Sequence, residues 1–587
     1  MDWSISVTQP TFIITDFGAV GDARTMNTAA IQATVEACAA AGGGRVVVPG
    51  GTFVSGPVFL RSNIEFHLSA GAVLRGSPVM ADDPCHDMES HCYRFNVWLA
   101  SLLTGFKLEN VSITGRGTLD GQGDVWWAEI DAGRGKNRPL TIYLCDCERV
   151  LIEGVRVMNS PAWTILPLLC RNLTIRDVSI KNPWKPYHNC DGIDIYSCRN
   201  VHVTGCHLDT GDDGICLKSL PDFYVSSCGG STVDYSKPHI PCENIIIDNC
   251  VVEHAHSGVG IWAEVIGGMS NICVSNCVFD GTRTGIRINR YPQPGGYVKD
   301  VRIDNIVMRR VESVFEVSNY FDPAKMAQGP DSQTTPVFEN IHISNVTATK
   351  ARLACEAFGL PKMPIRNISF SNIRIEADKG FDIRDAEDIL LDNVVVTCPG
   401  PALTVRNARN LDINRMIAAA PQAGIPAIQF TNVQDTWLHG CKAAIGTETF
   451  LLLTGSDNRD IRLMENELSH AAHAQGEGLP MMDWSFSSCA YSGSSMWRIA
   501  GHGSPYPPVP PAVRATIGQK WSEAQVSGIC GIHRIESGAR NGVDLPAGDK
   551  RRIYVVEIFG FPEQLVICDD GEWIKTIDDP DWRAWGK

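Results

Sequence analysis

Short stretches in which β-branched and polar residues alternate recur along most of the chain, each led by asparagine or aspartate. They begin at Asn110 (NVSITG), Asn172 (NLTIRD), Asn200, Asn244, Asn271, Asp300, Asn340, Asn367, Asp388 and Asn410. Alternation at period two describes strands that bury one face. Several successive leads stand 22 to 29 residues apart, which is the length of a solenoid coil. One or two short strands per repeat are too few for a leucine-rich or ankyrin unit. The pattern therefore predicts an all-β fold, a right-handed parallel β-helix. The longer intervals, from Asn200 to Asn244 and from Asp300 to Asn340, are expected to hold loop insertions on one face.

The two ends read differently. Asn27 and the small apolar residues that follow it predict an N-terminal helix capped by Asn27. Such a helix would close the end of the solenoid, where strand edges are otherwise unpaired. The repeats fade after about Asp460. The expected organisation is a β-helix over residues 1–475, a Gly/Ser/Pro-rich linker or wrapping arm over 476–511, and a small β-rich appendage over 512–587.

A net charge of -15 argues against nucleic acid as a partner, because neutralising phosphates needs a basic surface. No apolar run is long enough to span a membrane. The N-terminus lacks a basic segment followed by an apolar one, so the expected location is cytoplasmic, or secreted if a leader has been removed. Oligomeric state has no signature. The 21 cysteines fall into two repeat-linked sets. Cys147, Cys170, Cys198 and Cys242 precede the repeat leads by two residues, and Cys206, Cys250 and Cys277 follow leads by six. They are expected as internal packing columns. None has zinc-site spacing, and no cofactor or metal is expected.

Four segments carry the candidate chemistry: Asp191-GIDI, Asp213-GICL, Ser257-GVGI and Thr284-GIRI. Aligning their glycines directs the aliphatic residues inward. Asp194, Cys216, Gly260 and Arg287 then form one outward column, and Tyr196, Lys218, Trp262 and Asn289 the next. Asp191 and Asp213 share a column just before the glycines, and Asp212 and His256 share the one before that. Stacked coils are one strand spacing apart, about 4.8 Å, so three carboxylates, a histidine and an arginine should converge on one exterior patch. Clustered acids separate one another's proton affinities, so that one serves as acid and another as base. Glycoside hydrolysis needs such a pair. On this reading Asp194 supports its neighbours and Lys218 neutralises the acids.

At these residues the chain resembles the polygalacturonases, glycoside hydrolase family 28. The family's ordered pattern reads here as Asn189-Cys190-Asp191-Gly192, Gly211-Asp212-Asp213, Ala255-His256-Ser257-Gly258 and Arg287-Ile288-Asn289. Further matches are Phe17-GAVGD, Gly115-RGTLDGQG, Asn159-SPAW and Gly295-GYV, and the resemblance spans roughly residues 12 to 460. It implies hydrolysis of an oligosaccharide with inversion. Asp212 would be the general acid, Asp191 and Asp213 would hold and activate the water, and His256 would tune Asp212. Asn189, Asp194, Lys218, Trp262, Arg287, Asn289 and Tyr297 are the substrate-binding candidates. Inverting pairs stand about 6.5–9.5 Å apart. Three positions depart from the family: Asn289 replaces lysine, Ala-His-Ser replaces Gly-His-Gly, and Trp262 stands where glycine is common. These changes put homogalacturonan in question and make a branched pectic or non-uronate oligosaccharide an expectation. Rival functions on the same architecture are a polysaccharide lyase and a glycan-binding solenoid without turnover.

Overall fold

The computed structural model describes residues 10–79, 100–132, 138–184, 189–221, 239–289, 296–319 and 336–477, and five strands between 532 and 584. The chain separates into two compact units, Met1–Met481 and Met482–Lys587. In the first, every repeat contributes strands that pair in parallel with those of the coils before and after. The result is a right-handed parallel β-helix. Ile175, Val203, Ile247, Val274, Ile303 and Ile343 stack one above another down its interior, all essentially inaccessible to solvent. Among the described residues no helix is long and apolar enough to cross a membrane.

The asparagine leads have a backbone reason. Asn110, Asn172, Asn200, Asn244, Asn271, Asn340 and Asn410 all adopt left-handed φ of 54 to 58°, a conformation asparagine tolerates better than most residues. Their side chains then ladder from coil to coil. Asn200 Nδ2 donates to Asn172 Oδ1 at 3.0 Å, Asn244 to Asn200 at 2.9 Å and Asn271 to Asn244 at 3.0 Å.

The N-terminal helix forms over Thr28–Ala40 and buries Ile31, Thr34, Val35 and Cys38, a stripe with helical spacing. Asn27 occupies the cap position but does not cap. Its buried amide accepts from Val20 N and donates to the Thr25 and Val54 carbonyls. The bond to Val54 O is buried, where a backbone carbonyl has no water to turn to. A second helix, Gly123–Asp131, has no counterpart in the sequence expectations.

The two cysteine columns form as expected. Arg171 N bonds to Cys147 O, Arg199 N to Cys170 O and Glu243 N to Cys198 O, so the first column rises one coil at a time. Its thiols are free and buried, and burial pushes Cys242 up to about 12. Such thiols are packing groups rather than nucleophiles. The predicted arm at 476–511 lies outside the described residues except for its first two. In the second unit the described strands form one five-stranded antiparallel sheet, from Ile532–Ile535 to Arg583–Ala584.

The ladder predicts a graded stability loss. Asn200→Ala combines left-handed strain with two lost amide bonds and should cost about 2 kcal/mol. Asn200→Gly, which loses only the bonds, should cost about half as much, measured by urea unfolding monitored by circular dichroism.

Candidate active site

The site is built where one strand of each coil begins. Gly192, Gly214 and Gly258 stack there, and each lacks the Cβ that would strike the next coil. A Cβ on Gly192 would lie 2.5 Å from Gly214 O, and one on Gly258 would lie 2.8 Å from Gly285 O. This close approach sets the height of the residues just before the glycines. Gly192 N bonds to Asp213 O and Gly214 N to Ser257 O, so Asp191, Asp213 and Ser257 form one column. His256 N bonds to Asp212 O and makes the adjacent column. The Asp194–Cys216–Gly260–Arg287 column is also as expected.

Asp191, Asp212 and Asp213 each bring one carboxylate oxygen to within 4.8 Å of the others. All three are buried. Asp212 sits between two partners, with His256 Nδ1 2.7 Å from its Oδ1 and Asn189 Nδ2 donating to its Oδ2 at 3.1 Å. Burial works to raise its carboxyl, but the charges of His256 and Lys218 prevail and hold it below the usual range. Burial likewise opposes a proton on His256, and the Asp212 carboxylate overcomes this and raises the imidazole. The single proton of this pair therefore rests toward His256.

Asp191 is the opposite case. Burial, then the charges of Asp194 and Asp212, push its carboxyl well above the usual range. Lys218, itself buried, stands 2.5 Å from Asp194 Oδ1 and 3.6 Å from Asp191 Oδ2, and lies 3.7 Å over the Trp163 ring. Asp213 is contacted from the following coil, where Ser257 Oγ donates to Oδ1 at 2.5 Å and Trp262 Nε1 to Oδ2 at 2.6 Å. The Arg287 guanidinium lies 3.9 Å over the Trp262 ring. The three catalytic candidates are the one group among the described residues close enough to share a cation. Lys218 and His256 are the cations that balance them.

The family model for glycosyl hydrolases family 28 matches residues 89–398 of the 587. The chain belongs to this family. It is 30% identical over 377 residues to a probable polygalacturonase of Vitis vinifera, covering 62% of this chain and 73% of that protein. It is 26% identical over 436 residues to an exo-poly-alpha-D-galacturonosidase of Dickeya chrysanthemi, covering 65% and 70% respectively. The solved structure of a hyperthermoactive exopolygalacturonase from Thermotoga maritima superposes with a TM-score of 0.53 at 26% identity, covering 66% of this chain and 91% of that one. The chain is accordingly a glycoside hydrolase.

Two binding candidates of this family 28 enzyme take unexpected positions. Asn289 is fully buried and donates to Glu316 Oε1 at 2.6 Å. Tyr297 packs its ring over Gly268, at the turn after strand Ser257–Val265, with Lys299 4.9 Å from its ring centre. Several site residues were missed. Ser257 shares the Asp191–Asp213 column, so the alignment already held its signal. Glu316 lies one coil beyond Arg287, whose Nε is 3.5 Å from Glu316 Oε2. Glu264 is buried with a raised carboxyl, pushed up by burial against the pull of Lys218. Trp184 meets His256 edge-on at 5.6 Å. Arg138 donates to Asn189 Oδ1 at 3.4 Å. Trp184 and Arg138 lie outside the four aligned segments, and Glu264 stands two residues beyond Trp262 on strand Ser257–Val265, past the aligned positions.

Removing Lys218 tests the charge balance. Lys218→Met leaves buried carboxyls uncompensated and should cost about 3 kcal/mol at pH 7. A carboxyl raised in the folded state weakens the fold above its unfolded value, near pH 4, and not below it. The deficit should therefore shrink on acidification, measured by urea unfolding from pH 7 to pH 4.

Proposed function

We propose that this enzyme hydrolyses O-glycosidic bonds of a pectin-type oligosaccharide by a single displacement. The observation that carries this reading is the convergence of Asp191, Asp212 and Asp213 within 4.8 Å, with Asp212 paired to His256. The Asp212–His256 pair acts as the general acid and delivers its shared proton to the leaving oxygen as the glycosidic bond breaks. A water seated between Asp191 and Asp213 attacks the anomeric carbon and gives up a proton to this carboxyl pair. Oxygens within 4.8 Å of each other are both in hydrogen-bond reach of one water, about 2.8 Å from each.

The gap of about 6.5–9.5 Å in inverting pairs separates acid from base, whereas Asp191 and Asp213 stand together on the base side, so stereochemistry is the deciding measurement. Inversion predicts that the first product formed carries the opposite anomeric configuration, read by proton NMR within the first minutes of turnover. A product of unchanged configuration would assign one of the aspartates as a nucleophile.

The ground that supports a pectic substrate other than plain galacturonan is electrostatic. The resemblance places an arginine and a lysine at Arg287 and Asn289. Here the lysine is absent, and the Glu316 carboxylate accepts from Asn289 and pairs with Arg287. That position favours a ring without a carboxylate, or one whose carboxylate points elsewhere. Release of reducing ends from galacturonides, rhamnogalacturonan fragments and neutral glycans tests the reading. Asp212→Asn should lose at least a thousandfold in kcat while remaining folded. Full activity in that folded variant would overturn the assignment.

A further inference from the structure

Asp191 and Asp213 are equivalent by position and unlike in surroundings. Asp213 receives two strong donors, the Ser257 hydroxyl on one oxygen and the Trp262 indole on the other. Asp191 receives none of this kind: its Oδ1 is buried without a hydrogen-bond partner among the described residues, and Lys218 stands closer to Asp194 than to it. Both donors come from the coil after Asp213, at two of the positions where this chain departs from its family. Gly260 lies between them and makes the arrangement possible. A Cβ there would fall 2.7 Å from Trp262 Cδ1 and 2.8 Å from Ser257 Oγ, so the indole leans into space that any other residue would fill.

We infer that Ser257 and Trp262 clamp Asp213 as the single proton acceptor of the hydrolytic pair, while Asp191, as a neutral carboxyl, orients the attacking water. This deepens the hydrolytic reading above and rests on it. Donors aimed at a carboxylate favour its ionised form and fix its orientation. A carboxyl without donors, buried beside other acids, keeps its proton; the upward push on Asp191 agrees with this. The charged groups facing Asp213 are Asp191 and Asp194 from the coil before, Asp212 and Lys218 in its own coil, and His256 and Glu264 from the coil after. Arg287 follows one coil further on, stacked on Trp262.

In the step itself, the water oxygen bonds to the anomeric carbon and its proton passes to Asp213. The glycosidic bond breaks, and the leaving oxygen takes the proton of the Asp212–His256 pair. The two sites then exchange protons with solvent to reset. Trp262 is on this account a positioning residue. Its ring is almost wholly buried, between Arg287 and Asp213, which leaves little face for a sugar.

The experiment compares Trp262→Phe, Ser257→Ala and Gly260→Ala with wild type in kcat, KM and pH profile. Trp262→Phe keeps the ring and removes the donor. It should lower kcat about tenfold, leave KM nearly unchanged, and move the acidic limb of the profile up by about one pH unit, the worth of one hydrogen bond to a charged group. Ser257→Ala and Gly260→Ala should move the limb the same way. Asp191→Asn should retain far more activity than Asp213→Asn. An unmoved limb, or equal loss from the two asparagine variants, overturns the clamp. An activity-independent reading comes from protein labelled with 15N-tryptophan, in which the Trp262 indole signal is the one lost in Trp262→Phe. That indole proton should move upfield in Asp213→Asn, and an unmoved signal overturns the clamp. A responsive indole in a wild-type protein that cleaves no glycan upholds the clamp and overturns the hydrolytic reading alone.

Discussion

Everything in this molecule depends on each coil passing its strand edge in register to the next. Parallel pairing holds equivalent residues at one strand spacing, so a residue type repeated along the chain becomes a column in space. Asparagine becomes a ladder of left-handed turns, and cysteine becomes buried packing. Glycine becomes a seam of close backbone approach, from Gly192 through Gly285. Aspartate at the same place becomes a site. A one-residue slip of any coil would send inward residues outward and disperse the three carboxylates.

The electrostatic demand of that arrangement is met locally. Asp191, Asp194, Asp212 and Asp213 are all buried, and acids packed so closely cannot all ionise. Lys218 offsets Asp194 and Asp191, and His256 offsets Asp212. Asp213 is served by neutral donors instead. Three kinds of partner on two consecutive coils thus give chemically identical side chains different surroundings.

Much of the fold and part of the site were legible in the sequence. The period-two alternation, the asparagine leads and the repeat spacing specified the β-helix, because solenoid contacts are between neighbours and repeat identically. The same periodicity put Asp191 with Asp213 and Asp212 with His256, since stacking follows directly from alignment. Asn27 was legible as the residue at the start of a helix, but its side chain turned to the carbonyls of Thr25 and Val54, the latter buried.

What the sequence by itself determined, then, was which residues share a column. The tertiary structure decided what each side chain in a column touches. Glu316 lies one coil beyond the recognised motifs and claims Asn289. Trp184 reaches His256 from outside the strands. Trp262 folds back over Gly260 onto Asp213. The physical reason is that backbone register repeats from coil to coil, whereas side-chain direction depends on the space its neighbours leave, and here that space was a single missing Cβ.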